Sequence, residues 1–459
     1  MHTIDEPGVT NDAVFHRQTD KDYPTIVRGK GALLFDADGK EYIDAAGGIF
    51  VVNIGHGVAE VGQAMARQAE RFTFAHTAHF TSEAELDFAS RLTELAPPGF
   101  NKVWLCTSGS QANETAIKLA RSFHLLKGEG ARAQVISRWN SYHGSSLGAL
   151  ALTGHTARRE PFEPYLFTSP KIEPPYCYRC PFNLEPASCA LECATALETA
   201  ILRNGPRNVS AFIAEPMSGA PLGALVPPPG YFKTIREICD RHSVLMIVDE
   251  VITGAGRTGK SMGIDHFDVT PDIITLAKGI GGGFVPLGAV LVHDRVYRAF
   301  EQSGQPFRHG ETFTGHAIAA AAGSAVLNRI KEDDLVAMAA RRGERLGNSL
   351  QGLRKLPIVG DVRGIGLLWG VELVADRVSK APFNRSLGIA ERIASVAAQA
   401  GLIVVAGSGC ADGEAGDTIT LAPPFVISER ELDLVVDRLE AAIAQVASEL
   451  CQNRPTAQS

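Results

Sequence analysis

Six short apolar runs constrain this chain more than anything else in it. They are KVWLCT (Lys102–Thr107), AQVIS (Ala133–Ser137), AFIAEP (Ala211–Pro216), LMIVDE (Leu245–Glu250), DIITLA (Asp272–Ala277) and GAVLVH (Gly288–His293), with helical patterns between them. Their length and their β-branched content mark buried strands. Strands that alternate with helices are joined by crossovers, so the sheet they build is largely parallel and covered on both faces. The expected fold class is α/β. Ahead of this region, GALLFDADGKEYIDAAGG (Gly31–Gly48) alternates around the hairpin signal Asp38-Gly39, and AEVGQAMARQAERF turns helical from Ala59. Behind it, RRGERLGNSLQGL and SERELDLVVDRLEAAIAQVASEL read as amphipathic helices that bracket a strand-rich stretch around VRGIGLLWGVELV. That predicts a smaller C-terminal α+β lobe. The expected division is an N-terminal segment 1–55 that contributes to the small domain, a large domain 56–320 and a small domain 321–459.

Composition excludes several classes of function. With 459 residues the chain can bury a large core, and it is 45% hydrophobic and 21% charged, as ordinary globular proteins are. Its formal charge of −7 is spread without long runs, which argues against nucleic acid as a partner. No run offers the roughly 20 apolar residues that a membrane span needs. The start, MHTIDEPGVTNDAVF, lacks the basic and apolar regions of a signal peptide. Eight cysteines in so long a chain are no disulfide scaffold, so a cytoplasmic location is expected. The last residues, CQNRPTAQS, are expected to fray.

Ligands of open α/β sheets gather at the carboxyl ends of the strands. There, Ser108-Gly109-Ser110 opens a helix and offers amides and hydroxyls to a phosphate; an ordinary capped helix start is the alternative. Trp139, Tyr142 and His143 follow another strand, where an aromatic ring could stack on a flat ligand or simply pack. Asp249 and Glu250 end an apolar run, and a partly desolvated carboxylate there needs a cationic or protonated partner. The alternative is a pair with Arg257 or a helix cap. Glu215 has the same placement, with backbone amides as its alternative partners. Lys278 leaves a strand into a glycine-rich loop, where its ammonium loses water. Phosphate site, aromatic platform, strand-end carboxylate and desolvated amine together match pyridoxal 5'-phosphate: the amine forms a Schiff base and the carboxylate pairs with the pyridine nitrogen.

DEVITGAGRTG, LAKGIGGGFVPLGAV and HGETFTGHAIAAAAG resemble the class-III (subgroup II, ω-type) aminotransferases of fold type I, and the resemblance spans nearly the whole chain. It implies a seven-stranded, mostly parallel sheet in the large domain. It implies Lys278 as the Schiff-base lysine, Asp249 as the partner of the pyridine nitrogen, and Glu215 beside it. Val251 and Tyr142 would cover the two ring faces, with His143 next to Tyr142. Ser108, Gly109 and Ser110 would hold the phosphate, and Thr312 would reach the phosphate of a neighbouring subunit. The implied activity is ping-pong transfer of an amino group from a small-molecule amine donor to a keto acid acceptor, pyruvate or 2-oxoglutarate. A homodimer, or a dimer of dimers with shared active sites, is implied too. An aminomutase, an epimerase or a decarboxylating relative on the same scaffold is the alternative, and a non-catalytic cofactor-binding regulator a more distant one.

Departures from the resemblance bear on substrate. Relatives that act on 4-aminobutyrate or ornithine carry a glutamate at the position of Ala220, and 4-aminobutyrate enzymes an arginine at that of Ser145. The C-terminal arginine of many ω-aminotransferases has no counterpart: Thr420 stands at the comparable site, and VVAGSGCADGEAG before it has none. Such an arginine–carboxylate pair is not easily replaced. Phe50 and Phe80 fall where relatives line the amine pocket with aromatic rings. The expectation is weak use of 4-aminobutyrate and ornithine, an apolar pocket for the donor, and Arg138 or Arg308 as the cation for the acceptor. Finally, Cys177, Cys180, Cys189 and Cys193 form a C-x2-C-x8-C-x3-C array, with the last two expected on one face of a helix start. Bare thiols are the favoured reading, with zinc or disulfides as alternatives.

Overall fold

The computed structural model describes residues 13–452. The central sheet has seven strands in the order Phe100–Cys106, Gly288–His293, Ile273–Leu276, Leu245–Asp249, Val209–Ala214, Gln134–Arg138 and Lys171–Ile172. Pairing is parallel except for Gly288–His293, which runs antiparallel to both its neighbours. All six sequence-read strands are present. Lys171–Ile172, an edge strand of two residues, was not foreseen. Val209–Ala214 and Leu245–Asp249 are buried at every position, which explains their unbroken apolar character.

Two smaller sheets flank this one. The expected hairpin forms from Leu33–Asp36 and Glu41–Asp44, with Gly39 at φ 83° in its turn, and Ile26–Lys30 adds a third strand. Its other edge pairs in parallel with Leu402–Ile403, so both halves of the chain share one sheet. The remaining sheet holds Val359–Ile365, Leu368–Leu373, Asp417–Leu421 and Val405–Ser408, between the helices Leu335–Gln351 and Glu429–Gln452. Cys451 and Gln452 complete that last helix; the rest of the expected frayed tail lies outside the described residues, as does most of the opening stretch MHTIDEPGVTNDAVF.

Register brings the site together. Val248 pairs with Ala214 and with Ile274, and Asp249 with Thr275. Glu215, Asp249 and Lys278 therefore leave three adjacent strands at the same carboxyl edge, where the general rule for open sheets places ligands.

Candidate active site

Lys278 sits just past its strand with φ 47°, a left-handed conformation that costs a residue with a Cβ about 1–2 kcal/mol. Its carbonyl accepts from the amides of Gly281 and Gly282 at 3.0 and 3.1 Å, which fixes the turn. Burial lowers its pKa from 10.5 to about 8; Asp249 and Glu215 push it up, and Arg257 and Arg158 push it down. The amine thus gives up its proton far more readily than an ordinary lysine amine does. Beneath it lies Phe50, with Nζ 5.2 Å from the ring centroid. Phe50 is 3% exposed and ends a turn in which Gly47, Gly48, Ile49 and Phe50 all have positive φ. Such a left-handed turn is rare because Ile49 and Phe50 carry side chains, and backbone strain of this kind persists only where the surroundings hold it.

Asp249 is 4% exposed and held by three partners. Its Oδ2 accepts from Asn113 Nδ2 at 2.7 Å and meets His143 Nδ1 at 2.8 Å, while Oδ1 accepts from the Val251 amide at 3.0 Å. Asn113 went unnoticed in the sequence. Its Nδ2 also donates to the His143 carbonyl and its Oδ1 accepts from Thr275, each at 2.7 Å, so one amide ties the helix to two strand ends. Glu250, one residue on, is wholly buried and caps the turn Gly263–Phe267 through the amides of Gly263 and Ile264. It does not pair with Arg257, which donates to Asn53 Oδ1 and to the carbonyls of Leu367 and Pro423.

Glu215, expected among the catalytic residues, is held by protein partners on both carboxylate oxygens. One carboxylate oxygen accepts from Arg138 at 2.8 Å and the other from the Tyr142 amide at 3.0 Å. Burial alone would raise its pKa, but His143 and Arg138 outweigh this and hold it below the usual carboxylate value. His143 spans the two acids: its Nε2 lies 4.0 Å from Glu215 and has no hydrogen-bond partner among the described residues.

The helix Gly109–Leu126 starts as its sequence implies. Ser108 is the N-cap and its hydroxyl accepts from the Gln111 amide, leaving the first helical amides, Gly109 and Ser110, without intrahelical partners. Gly109 is required by contact: a Cβ there would lie 2.9 Å from Val251 Cγ1. Ser110 accepts from the Ser145 amide at 3.1 Å, and Gly144, at φ 141°, leaves room for that oxygen.

Other expected site residues lie elsewhere. Thr312 is exposed in an irregular segment, and Phe80 is 65% exposed beside His79, next to a cluster of Phe74, Phe313, His76 and His316. Neither is brought to Lys278 within this chain. Trp139 packs between Arg159 and Lys171 rather than forming a platform. Arg138 cannot serve the acceptor, because Glu215 already holds it in a buried pair. Arg308 is exposed. Thr420 is buried in mid-strand, with an oxygen that has no partner among the described residues. Among the described residues no group of three or more His, Cys, Asp or Glu side chains is arranged to hold a metal. All eight cysteines are free in this structure. Four of them line one cavity of about 20 Å³, where burial first, and then its neighbouring cysteines, pushes the Cys193 thiol up to about 12. Cys189 precedes the helix Glu192–Asn204 and is separated from it by the left-handed Leu191, so it shares no helical face with Cys193.

The family model for class-III aminotransferases matches residues 14–443. This chain belongs to that family. It is 36% identical to the uncharacterised aminotransferase YodT of Bacillus subtilis over 93% of this chain and 96% of that one. It is 37% identical to the diaminobutyrate–2-oxoglutarate transaminase of Halomonas elongata, over 93% and 91% of the two chains. Among solved structures, an amine transaminase from an uncultivated Pseudomonas species, described in a pyridoxal-phosphate-bound form, superposes with a TM-score of 0.88 at 35% identity, covering 96% of this chain and all of that one. The fold is therefore fold type I, and enzymes of this class depend on pyridoxal phosphate.

Proposed function

We propose that this class-III aminotransferase binds pyridoxal 5'-phosphate and moves an amino group from an amine or ω-amino donor to a keto acid, pyruvate or 2-oxoglutarate, by a ping-pong mechanism. The observation that carries the proposal is a desolvated Lys278 amine, its pKa lowered by burial, at the same sheet edge as a buried, triply held Asp249. The residues present fit the cofactor. Two helix-start amides and the hydroxyls of Ser108 and Ser110 suit its phosphate, the Asp249 carboxylate its ring nitrogen, and Val251 and Tyr142 its ring faces. When bound, pyridoxal phosphate supplies an electron sink for negative charge at the donor's reacting carbon.

The chain's own residues do the rest. Asn113, His143 and the Val251 amide fix the direction of the Asp249 carboxylate. Glu215 and Arg138 set the Tyr142 backbone. Lys278 Nζ, its pKa lowered by burial, takes the proton from the donor's carbon and returns it. Phe50 keeps the floor beneath that amine apolar. Ala220, Ser145 and Thr420 offer no ion pair, which supports weak use of 4-aminobutyrate and ornithine. Thr312 reaching a second subunit's phosphate, Phe80 lining a donor pocket, the homodimer and a cytoplasmic location belong to the same proposal. No helix among the described residues is long and apolar enough to cross a membrane.

A panel of amine donors against pyruvate and 2-oxoglutarate tests it. A donor alone should bleach the bound cofactor's visible absorbance, and a keto acid should restore it. Sustained turnover with no acceptor would replace the transaminase with a mutase or an epimerase. Fastest turnover of 4-aminobutyrate with 2-oxoglutarate would overturn the substrate reading.

A further inference from the structure

Resting on the aminotransferase reading above, we propose that Arg158 is the cation that receives the carboxylate of the keto acid acceptor. A keto acid carries a full negative charge next to its reacting carbonyl, and in a partly dehydrated site that charge needs a cationic partner. Three guanidinium groups serve this part of the molecule. Arg138 is 3% exposed and donates from Nη2 to both the carbonyl and the carboxylate of Glu215, at 2.7 and 2.8 Å. Arg257 is fully buried and donates to Asn53 Oδ1 and to two backbone carbonyls, at 2.6 to 3.0 Å. Turning either toward a substrate would leave buried acceptors unpaired.

Arg158 is different. It is exposed, and its guanidinium makes no hydrogen bond or ion pair among the described residues. The group lies over the Tyr142 ring, with Cζ 5.0 Å from the centroid. A cation–π contact of this kind draws the guanidinium to the ring while leaving its N–H groups free for a bidentate contact. Its charge is also felt at Lys278, so it stands at the reacting end of the site rather than on a remote surface. The backbone beneath it is fixed on both sides. His155 Nε2 meets the Ser408 carbonyl at 3.0 Å, and the buried neighbour Arg159 donates to the Thr153 carbonyl at 3.2 Å. Arg158 is thus a free cation on a held support, beside the ring expected to cover the cofactor.

The test uses holoenzyme and two matched pairs of probes. Propanoate and propanamide differ in charge and cannot be transaminated; their binding is read by calorimetry. Pyruvate and propanal differ in the carboxylate and can both accept an amino group. Arg158→Gln should weaken propanoate on the order of ten- to a hundredfold, the range for a lost hydrogen-bonded charge contact, and propanamide far less. Its kcat/KM for pyruvate should fall by a similar factor and that for propanal by much less, with Arg158→Lys intermediate. Unchanged propanoate binding and an unchanged pyruvate-to-propanal ratio would overturn the proposal. So would equal loss for propanoate and propanamide, which would make Arg158 a shaping residue only. If no keto acid restores the absorbance of the wild type, the aminotransferase reading fails, and the propanoate comparison still decides the role of Arg158.

Discussion

Lys278 combines a left-handed backbone with a desolvated amine, and both work against folding. The second cost has a definite pH signature. Its folded pKa of about 8 lies below the ordinary 10.5, so between these values the unfolded chain binds more protons than the folded one. Wild-type stability should therefore rise with pH across that window, and the penalty should be complete below it. Cofactor-free Lys278→Met keeps the strained backbone but loses the penalty. It should be more stable than cofactor-free wild type by about 2–3 kcal/mol at pH 7, with the gap closing toward pH 10. Denaturant unfolding of both proteins at the two pH values checks this; an equal gap at both would remove desolvation as the cause. Lys278 and Asp249 stood out in the sequence because a charge that ends an apolar strand loses water and needs a partner. Asn113 was not, since a polar residue in a helical pattern reads as solvent-facing, yet it is 1% exposed. Arg158 was not, because an exposed arginine looks like ordinary surface until its neighbours are known.

At the scale of elements, the six strands were readable from length and β-branching, and the hairpin from Asp38-Gly39. The two-residue edge strand is too short to leave a pattern, and the left-handed turn at Gly47–Phe50 reads as plain loop, because its conformation is held by tertiary packing. The start of the helix Gly109–Leu126 was readable as a cap, but not its contact with Val251. That contact gives a prediction. A methyl group at position 109 would press on Val251 Cγ1 and Cγ2 at 2.9 and 3.0 Å, and overpacking of this kind costs about 1–3 kcal/mol. Gly109→Ala should lower retention of pyridoxal phosphate on dialysis by about tenfold or more, while circular dichroism stays native. Undiminished retention would show that Val251 can move aside without affecting the cofactor site.

For the whole molecule, the partly exposed aromatic cluster of Phe74, Phe313 and His316, near the exposed Phe80 and Thr312, is the face on which the proposed second subunit would sit. If Thr312 completes a neighbour's phosphate site, dilution below the association range should abolish turnover as sedimentation shows monomer. A fully active monomer would refute the shared site. Division of the chain at residues 55 and 320 belongs to the same proposal. Its N-terminal part is supported by the sheet that joins Glu41–Asp44 to Leu402–Ile403, a pairing that no local sequence pattern announces.

That pairing also sets an order of events during synthesis. Ile43 is opposite Leu402 and Asp44 opposite Ile403, so the hairpin is made long before the strand that completes its edge. At a translation rate of about 5–20 residues per second, the wait is roughly 20–70 s. For that interval the nascent chain carries an open β edge, the kind of surface that recruits foreign strands unless something covers it.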